Sequence, residues 1–247
     1  MGWAIDLDGV IWLGDQPVRG AAGAVARLRD AGEDVIFVTN NSSRPVGDYE
    51  EALRGQGLPA RGDVVSSAVV AADLVDPGET ALVCAGPGVD EALVRRDVRT
   101  VREGPADVVV VGYHTDFDYD RMAAASTAVL GGARLLATNS DATYPGPDGP
   151  RPGGGAILAS ITTATGADPV VAGKPFPPAV DHLRARLGPD GIMVGDRPET
   201  DGRFAVALGW RFGLVLQGVT GRGDLPVEPE PDVVAADLAA LVDRALG

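Results

Sequence analysis

Asp6-Leu7-Asp8-Gly9-Val10 places two carboxylates two residues apart at the end of an apolar run, Trp3–Leu7, that reads as a β-strand. Side chains alternate faces along a strand, so Asp6 and Asp8 share one face while Leu7 points into the core. Two like charges held this close repel unless a cation or ligand offsets them. Gly9 allows the backbone to approach an anion closely. On a plainer view the same residues are only turn formers. Three other apolar runs end in polar groups. Asp34–Thr39 leads into Asn40-Asn41-Ser42-Ser43, then Arg44-Pro45 and a helical pattern. Hydroxyls, amides and backbone N–H groups at a helix start suit phosphate oxygens, and equally suit an ordinary N-cap. Pro169–Ala172 leads into Gly173-Lys174-Pro175, where an ammonium can neutralise an anionic ligand and a carboxylate together. Gly191–Gly195 leads into Asp196-Arg197-Pro198-Glu199-Thr200-Asp201, whose two aspartates flank a turn into the next helix. Hard oxygen ligands from different strand ends suit magnesium. Each segment alone is ambiguous, but all four fall at expected strand ends, where open α/β sheets bind their ligands.

Lys174 is the one lysine among 21 basic residues, the rest being arginine. A bias that strong suggests that position 174 needs a compact ammonium rather than a planar guanidinium, although a surviving surface lysine would look the same in composition.

The elements that must position these groups alternate. Besides the four strands above, Thr80–Ala85, Asp107–Gly112, Arg134–Thr138 and Arg211–Leu216 read as strands. Gly20–Ala31, Val46–Gln56, Tyr119–Leu130, Gly155–Thr165 and Pro177–Leu187 carry apolar residues at helical spacing. Such alternation predicts parallel sheets with helices on their faces. Runs such as Val108-Val109-Val110-Val111 suit strands buried on both sides. The Pro- and Gly-rich stretches Tyr144–Gly155 and Gly218–Pro231 read as loops.

Composition narrows the function classes. The 247 residues are 45% hydrophobic and 23% charged, enough for one domain with an inserted module. A formal net charge of −14 would repel nucleic acid, and it obliges a phosphate site to carry local positive charge from a metal or a lysine. Cys84 is the only cysteine, which fits a reducing compartment, and no stretch approaches the ~18–20 apolar residues of a membrane span. The N-terminus Met1–Asp6 lacks a basic region followed by an apolar run. A cytoplasmic protein acting on neither membranes nor nucleic acid is expected. With His114 and His182 as the only histidines, a zinc site of several His and Cys is not available. Trp3, Trp12 and Trp210 are expected to pack, Cys84 to be a core residue, and His182 to face solvent.

DLDGV, VTNN, GKP and GDRPETD resemble, in order and spacing, the four motifs of the haloacid dehalogenase (HAD) superfamily, and in particular its NagD-like, p-nitrophenyl phosphatase branch, subfamily IIA. The resemblance covers nearly the whole chain, including ATNSDATYP at Ala137–Pro145 and PGGGAILASITTATG at Pro152–Gly166. It implies an α/β fold, with a Rossmann-like parallel-sheet core at 1–78 and 172–247 and an inserted α/β cap at 79–171. It implies that Asp6 is the nucleophile and also a magnesium ligand. Asp8 would be the general acid and base, its backbone carbonyl a further ligand. Thr39, Asn40 and Lys174 would bind the transferring phosphoryl group. Asp196 would hold magnesium directly, with Asp201 behind it. The substrate would be a small phosphorylated metabolite, and a homodimer through the cap is expected because relatives often pair that way. One departure is Gly202-Arg203, where relatives usually carry an aliphatic residue, which bears on packing of the following helix.

In such a site Asp6 attacks phosphorus in line, and Asp8 protonates the leaving alkoxide and then deprotonates the attacking water. A dehalogenase would need neither Asp8 nor a metal, and a phosphonatase would need a cap lysine, which the chain lacks. The remaining alternative is a non-catalytic or receiver-like phosphate-binding module of the same fold. Specificity is expected in two cap segments, Tyr113–Phe117 and Asn139–Tyr144, through His114, Asp116, Asn139 and Asp141; the plainer view of His114 is a polar loop residue on the cap surface.

Overall fold

The computed structural model describes residues 1–14, 16–60, 62–146 and 149–246. In chain order the strands are β1 Gly2–Asp6, β2 Trp12–Leu13, β3 Gln16–Pro17, β4 Asp34–Thr39, β5 Val64–Ser66, β6 Thr80–Cys84, β7 Arg99–Val101, β8 Val108–Val111, β9 Arg134–Ala137, β10 Thr143–Gly146, β11 Gly149–Pro152, β12 Val170–Val171, β13 Gly191–Gly195, β14 Arg211–Val215 and β15 Val233–Ala235. The α-helices are α1 Ala21–Asp30, α2 Val46–Gly55, α3 Ser67–Asp73, α4 Pro87–Val94, α5 Tyr119–Leu130, α6 Gly154–Thr165, α7 Pro177–Leu187, α8 Arg203–Leu208 and α9 Leu238–Leu246. Among the described residues no helix is long and apolar enough to cross a membrane.

The chain divides into two compact units: Met1–Thr39, Tyr49–Val65 and Lys174–Gly247 form the first, and Asn40–Asp48 with Ser66–Gly173 form the second. The dividing lines differ from the boundaries read in the sequence, because residues 40–48, 66–78 and 172–173 group with the inserted segment.

The first unit is built on a sheet ordered β15-β14-β13-β1-β4-β5. Its registered pairs are parallel, with Ile5 beside Val194 and Asp6 beside Val38. Every residue of β1 and β13 is buried, as expected of strands covered on both faces. This register brings the ends of β1, β4 and β13 level, so the residues following them meet at one sheet edge. The departure at Gly202-Arg203 is accommodated locally. A Cβ on Gly202 would lie 2.8 Å from Pro229 and 2.9 Å from Phe212, while Arg203 is exposed and fully buried Phe204 supplies the packing of α8.

The second unit holds a parallel sheet ordered β12-β9-β8-β6-β7. Leu82, Val109, Val111 and Leu135 of its strands pack with Val129 of α5 and Ile157 and Ile161 of α6. Cys84 lies in this core, and burial pushes its thiol up to about 11. Part of the Pro-rich stretch read as a loop is instead an antiparallel hairpin, β10 with β11, in which Thr143 faces Pro152. Because β8 and β9 are neighbours, the segments after them, 113–117 and 139–144, share one edge of the sheet.

Candidate active site

Four of the sequence-singled residues converge in the first unit. Asp6 is the last residue of β1, Asp196 follows β13, Lys174 precedes α7, and Asp201 lies in a π-helical turn, Pro198–Gly202. All four are at least 92% buried. Lys174 Nζ donates to Asp6 Oδ1 and to Asp201 Oδ1, both at 2.7 Å. The other oxygen of Asp201 accepts from the Arg197 N–H at 3.1 Å. One carboxylate oxygen each from Asp6, Asp196 and Asp201 lies within 4.8 Å of the others.

Three carboxylates thus face one ammonium away from water. Burial pushes the Asp6 carboxyl well above its ordinary range; Lys174 opposes this, and Asp201, Asp196 and Asp8 reinforce it. Burial and then Asp201 push Asp196 up to about 6, against the Val219 N–H, Arg197 and Lys174. For Lys174, burial disfavours the charge, but Asp201 and Asp6 outweigh it and hold the ammonium protonated.

Asp196 is packed tightly. Its Oδ2 accepts from the Val219 N–H at 2.6 Å. A Cβ on Gly9 or Gly218 would fall 2.2 or 2.0 Å from that oxygen, and Gly9 also sits at φ +87°. Both positions therefore need glycine. Asp196 Oδ1, by contrast, is buried without a hydrogen-bond partner. An unpaired buried carboxylate oxygen is costly. Its place beside two further carboxylates gives a hard, anionic donor set that fits a divalent cation.

Asp8 and Thr39 also belong to this unit. Thr39 is buried at the end of β4. Asp8 is half-buried, and its Oδ1 accepts from the Trp12 indole N–H at 2.9 Å. The Gln217 side-chain Nε2 donates to the carbonyls of Gly9 and Val10, at 3.3 and 3.2 Å. Trp12 and Gln217 are the residues that sequence reasoning missed. Trp12 carried a signal, since a buried indole N–H generally finds a partner and Asp8 lies four residues away. Gln217 carried none.

The other singled residues lie in the second unit. The Asn40 side chain donates to both oxygens of Asp141, at 3.3 and 3.1 Å. The Asn40 carbonyl accepts from Asn139 Nδ2 and Ser67 Oγ, both at 2.7 Å, and Asn139 Oδ1 accepts from the Asp141 N–H at 3.1 Å. Asn139 is thus buried and tied into the backbone. His114 is buried too, not a surface loop residue: its Nδ1 faces the Gly112 carbonyl at 3.0 Å and its ring meets Phe117 edge-on. Its Nε2 has no partner, and burial pulls its pKa down. Asp116 is exposed and paired with Arg121. Tyr113 stacks on Tyr144 at 4.9 Å, joining the two segments. Outside these groups, His182 is half-buried with its Nε2 out of solvent, rather than solvated.

The haloacid dehalogenase-like hydrolase family matches residues 3–99, and a HAD-hydrolase-like family matches residues 171–241. D-glycerol 3-phosphate phosphatase of Mycobacterium tuberculosis is 36% identical over 96% of this chain and 69% of its own length. A p-nitrophenyl phosphatase from Archaeoglobus fulgidus superposes with a TM-score of 0.93 at 32% identity, covering 98% of each chain. The structure of a glycerol phosphate phosphatase from Mycobacterium tuberculosis in complex with magnesium superposes with a TM-score of 0.88 at 35% identity, covering 97% of this chain and 75% of that one. The chain belongs to the haloacid dehalogenase-like hydrolases. Within them it falls in the NagD-like, p-nitrophenyl phosphatase branch, subfamily IIA, and it is a phosphoric monoester hydrolase of that type.

Proposed function

We propose that the chain is a magnesium-dependent phosphatase that hydrolyses small phosphate monoesters through an aspartyl-phosphate on Asp6. The observation that carries this reading is Lys174 Nζ bridging Asp6 and Asp201 beside the unpartnered Asp196 Oδ1. Asp6, Asp196 and the Asp8 carbonyl would hold magnesium, with Asp201 behind them orienting Lys174. When bound, the metal would supply positive charge to the phosphoryl oxygens and to the nucleophile. The magnesium complex of a relative supports that choice of ion.

The chain's own residues do the rest. Lys174 fixes Asp6 Oδ1, so that Oδ2 is the attacking atom, and its charge lessens repulsion between carboxylate and phosphate. Thr39 and Asn40 hold phosphoryl oxygens. As the Asp6–phosphorus bond forms and the ester P–O bond breaks, Asp8 passes its proton to the leaving oxygen. Asp8 then takes a proton from water as that water attacks phosphorus, which breaks the Asp6–phosphorus bond and regenerates the enzyme. In this reading the first compact unit is the catalytic core and the second the cap, with His114 and Asp116 among the groups that recognise the rest of the ester. The protein is read as cytoplasmic and as a homodimer through the cap; a monomer mass in light scattering would remove the latter.

The test is trapping. Acid quench during turnover of a ³²P-labelled ester should leave label on the wild-type protein and none on Asp6→Asn, which should also lose turnover with its far-ultraviolet circular dichroism unchanged. Turnover near wild type in Asp6→Asn, or full activity in excess chelator, would overturn the reading.

A further inference from the structure

Trp12 lies six residues past Asp6 and is 96% buried. Its backbone closes the loop that follows β1: the Gly9 N–H donates to the Trp12 carbonyl at 2.8 Å, and the Trp12 N–H donates to Leu7 O at 3.3 Å. The opposite side of its strand pairs with Pro17 in the β2–β3 hairpin. The main chain at Trp12 is therefore held on two sides, and the one polar atom of its indole, Nε1, donates to Asp8 Oδ1 at 2.9 Å. A residue that only filled the core would need no such aim. An indole N–H is a donor and never an acceptor, so it can bind only an oxygen that offers a lone pair. A carboxyl whose Oδ1 accepts from the indole carries its transferable proton on Oδ2.

We propose that Trp12 is a positioning residue for proton transfer: its N–H selects which oxygen of Asp8 bears the proton and fixes the plane of that carboxyl. This rests on the reading of Asp8 as general acid and base. In the first half-reaction the proton leaves Asp8 Oδ2 for the ester oxygen as the P–O bond breaks. In the second, a proton from the attacking water returns to the same oxygen. Without the N–H, the carboxyl loses this directional restraint and either oxygen can take the proton, so the correctly aimed acid is present only part of the time. Gln217, gripping the Gly9 and Val10 carbonyls, steadies the loop itself.

The readout separates this role from packing. An alkyl phosphate such as glycerol 3-phosphate departs as an alkoxide and needs the acid, whereas p-nitrophenolate is a stable anion that departs with little help. The second-order constant kcat/KM reports the first half-reaction and is measured for both esters in wild type, Trp12→Phe and Asp8→Asn. For Trp12→Phe, kcat/KM on glycerol 3-phosphate should fall roughly 10- to 100-fold, less than the ~10²–10⁴-fold that a general acid supplies in full. On p-nitrophenyl phosphate it should fall by a much smaller factor. Trp12→His, which keeps an N–H donor, should recover part of the alkyl ester rate. If thermal melting shows Trp12→Phe to be partly unfolded at assay temperature, benzothienylalanine at position 12, which keeps the indole shape without the N–H, carries the same expectation. Equal losses on both esters, or none, overturn the proposal. Asp8→Asn distinguishes the two levels. If it too loses equally on both esters, the general-acid reading of Asp8 fails; if it is selective and the Trp12 variants are not, only the role of Trp12 fails.

Discussion

Asp196→Asn should make the metal-free protein more stable while abolishing its response to magnesium. Asp196, Asp6 and Asp201 each place a carboxylate oxygen within 4.8 Å of the others, with Lys174 bonded to Asp6 and Asp201. One pair of unit charges at that distance repels by roughly 3–4 kcal/mol at an effective dielectric constant of about 20. The carboxyl itself gives a similar figure: displacement from 3.8 to about 6 corresponds to about 3 kcal/mol. Asparagine removes the charge, and its amide oxygen can still accept from the Val219 N–H. Some of the gain is lost to the new amide N–H pair, so about 2 kcal/mol is expected, or roughly 4–8 °C in melting midpoint for a chain of this size.

The dependence on pH fixes the sign. The folded-state pKa of Asp196 lies above its unfolded value, so between about 4 and 6 the folded protein holds a proton that the unfolded chain has released. That contribution is fully present below the unfolded pKa and is lost as pH rises through about 6. The melting midpoints of wild type and Asp196→Asn in chelator should therefore converge below pH 4 and separate between pH 4 and 7, the variant being higher. Added magnesium should raise the wild-type midpoint and leave the variant unmoved. A variant that melts at or below wild type at pH 7 in chelator, or that still gains stability from magnesium, would refute the account of Asp196 as a repelled carboxylate awaiting a cation.

Three more outcomes are expected. Lys174→Arg should lower kcat/KM by roughly 10²-fold or more despite conserved charge, because a planar guanidinium cannot occupy the point 2.7 Å from both Asp6 and Asp201; near-normal rates would make that ammonium incidental. Asp116→Ala and His114→Ala should change the ratio of kcat/KM between glycerol 3-phosphate and p-nitrophenyl phosphate, and uniform losses on both would place specificity elsewhere. Asn139→Ala should instead cost about 1–3 kcal/mol of stability, read as a lowered denaturation midpoint, since it strips a donor from the Asn40 carbonyl and an acceptor from the Asp141 N–H.

What the sequence disclosed follows the range over which each signal acts. Asp34–Thr39, Gly191–Gly195, Tyr119–Leu130 and Pro177–Leu187 were legible to the residue, because apolar runs or helical spacing lie within one segment. The helix Ser67–Asp73 was not: five of its seven residues are buried, so it lacks the polar face that makes a helical period visible. The hairpin Thr143–Gly146 with Gly149–Pro152 hid behind its prolines, which count against a central strand but are tolerated in a two-stranded edge pair. The role of Asn139 was illegible for another reason. Its type suits ligand binding, and only the fold shows that its amide is spent on the carbonyl of Asn40, 99 residues away in the chain.

Distance in the chain also separates what holds the site from what charges it. Asp6, Asp8, Gly9 and Trp12 form one closed local loop, so their geometry is specified within seven residues. Asp196 and Asp201 follow β13, which parallel pairing with β1 brings level with Asp6, and Lys174 arrives separately just before α7. The local part fixes direction, through the Gly9 conformation and the indole on Asp8. The long-range part gathers three buried carboxylates around one ammonium, an arrangement the fold alone leaves repulsive. Such repulsion persists only where surrounding structure over-determines it, here through the close approach of Gly9 and Gly218 to Asp196. A cation placed among those oxygens would convert the same repulsion into affinity. The repulsion among these carboxylates and the binding energy for metal are then one quantity, which is why a single charge removed at Asp196 should raise stability and remove the metal response together.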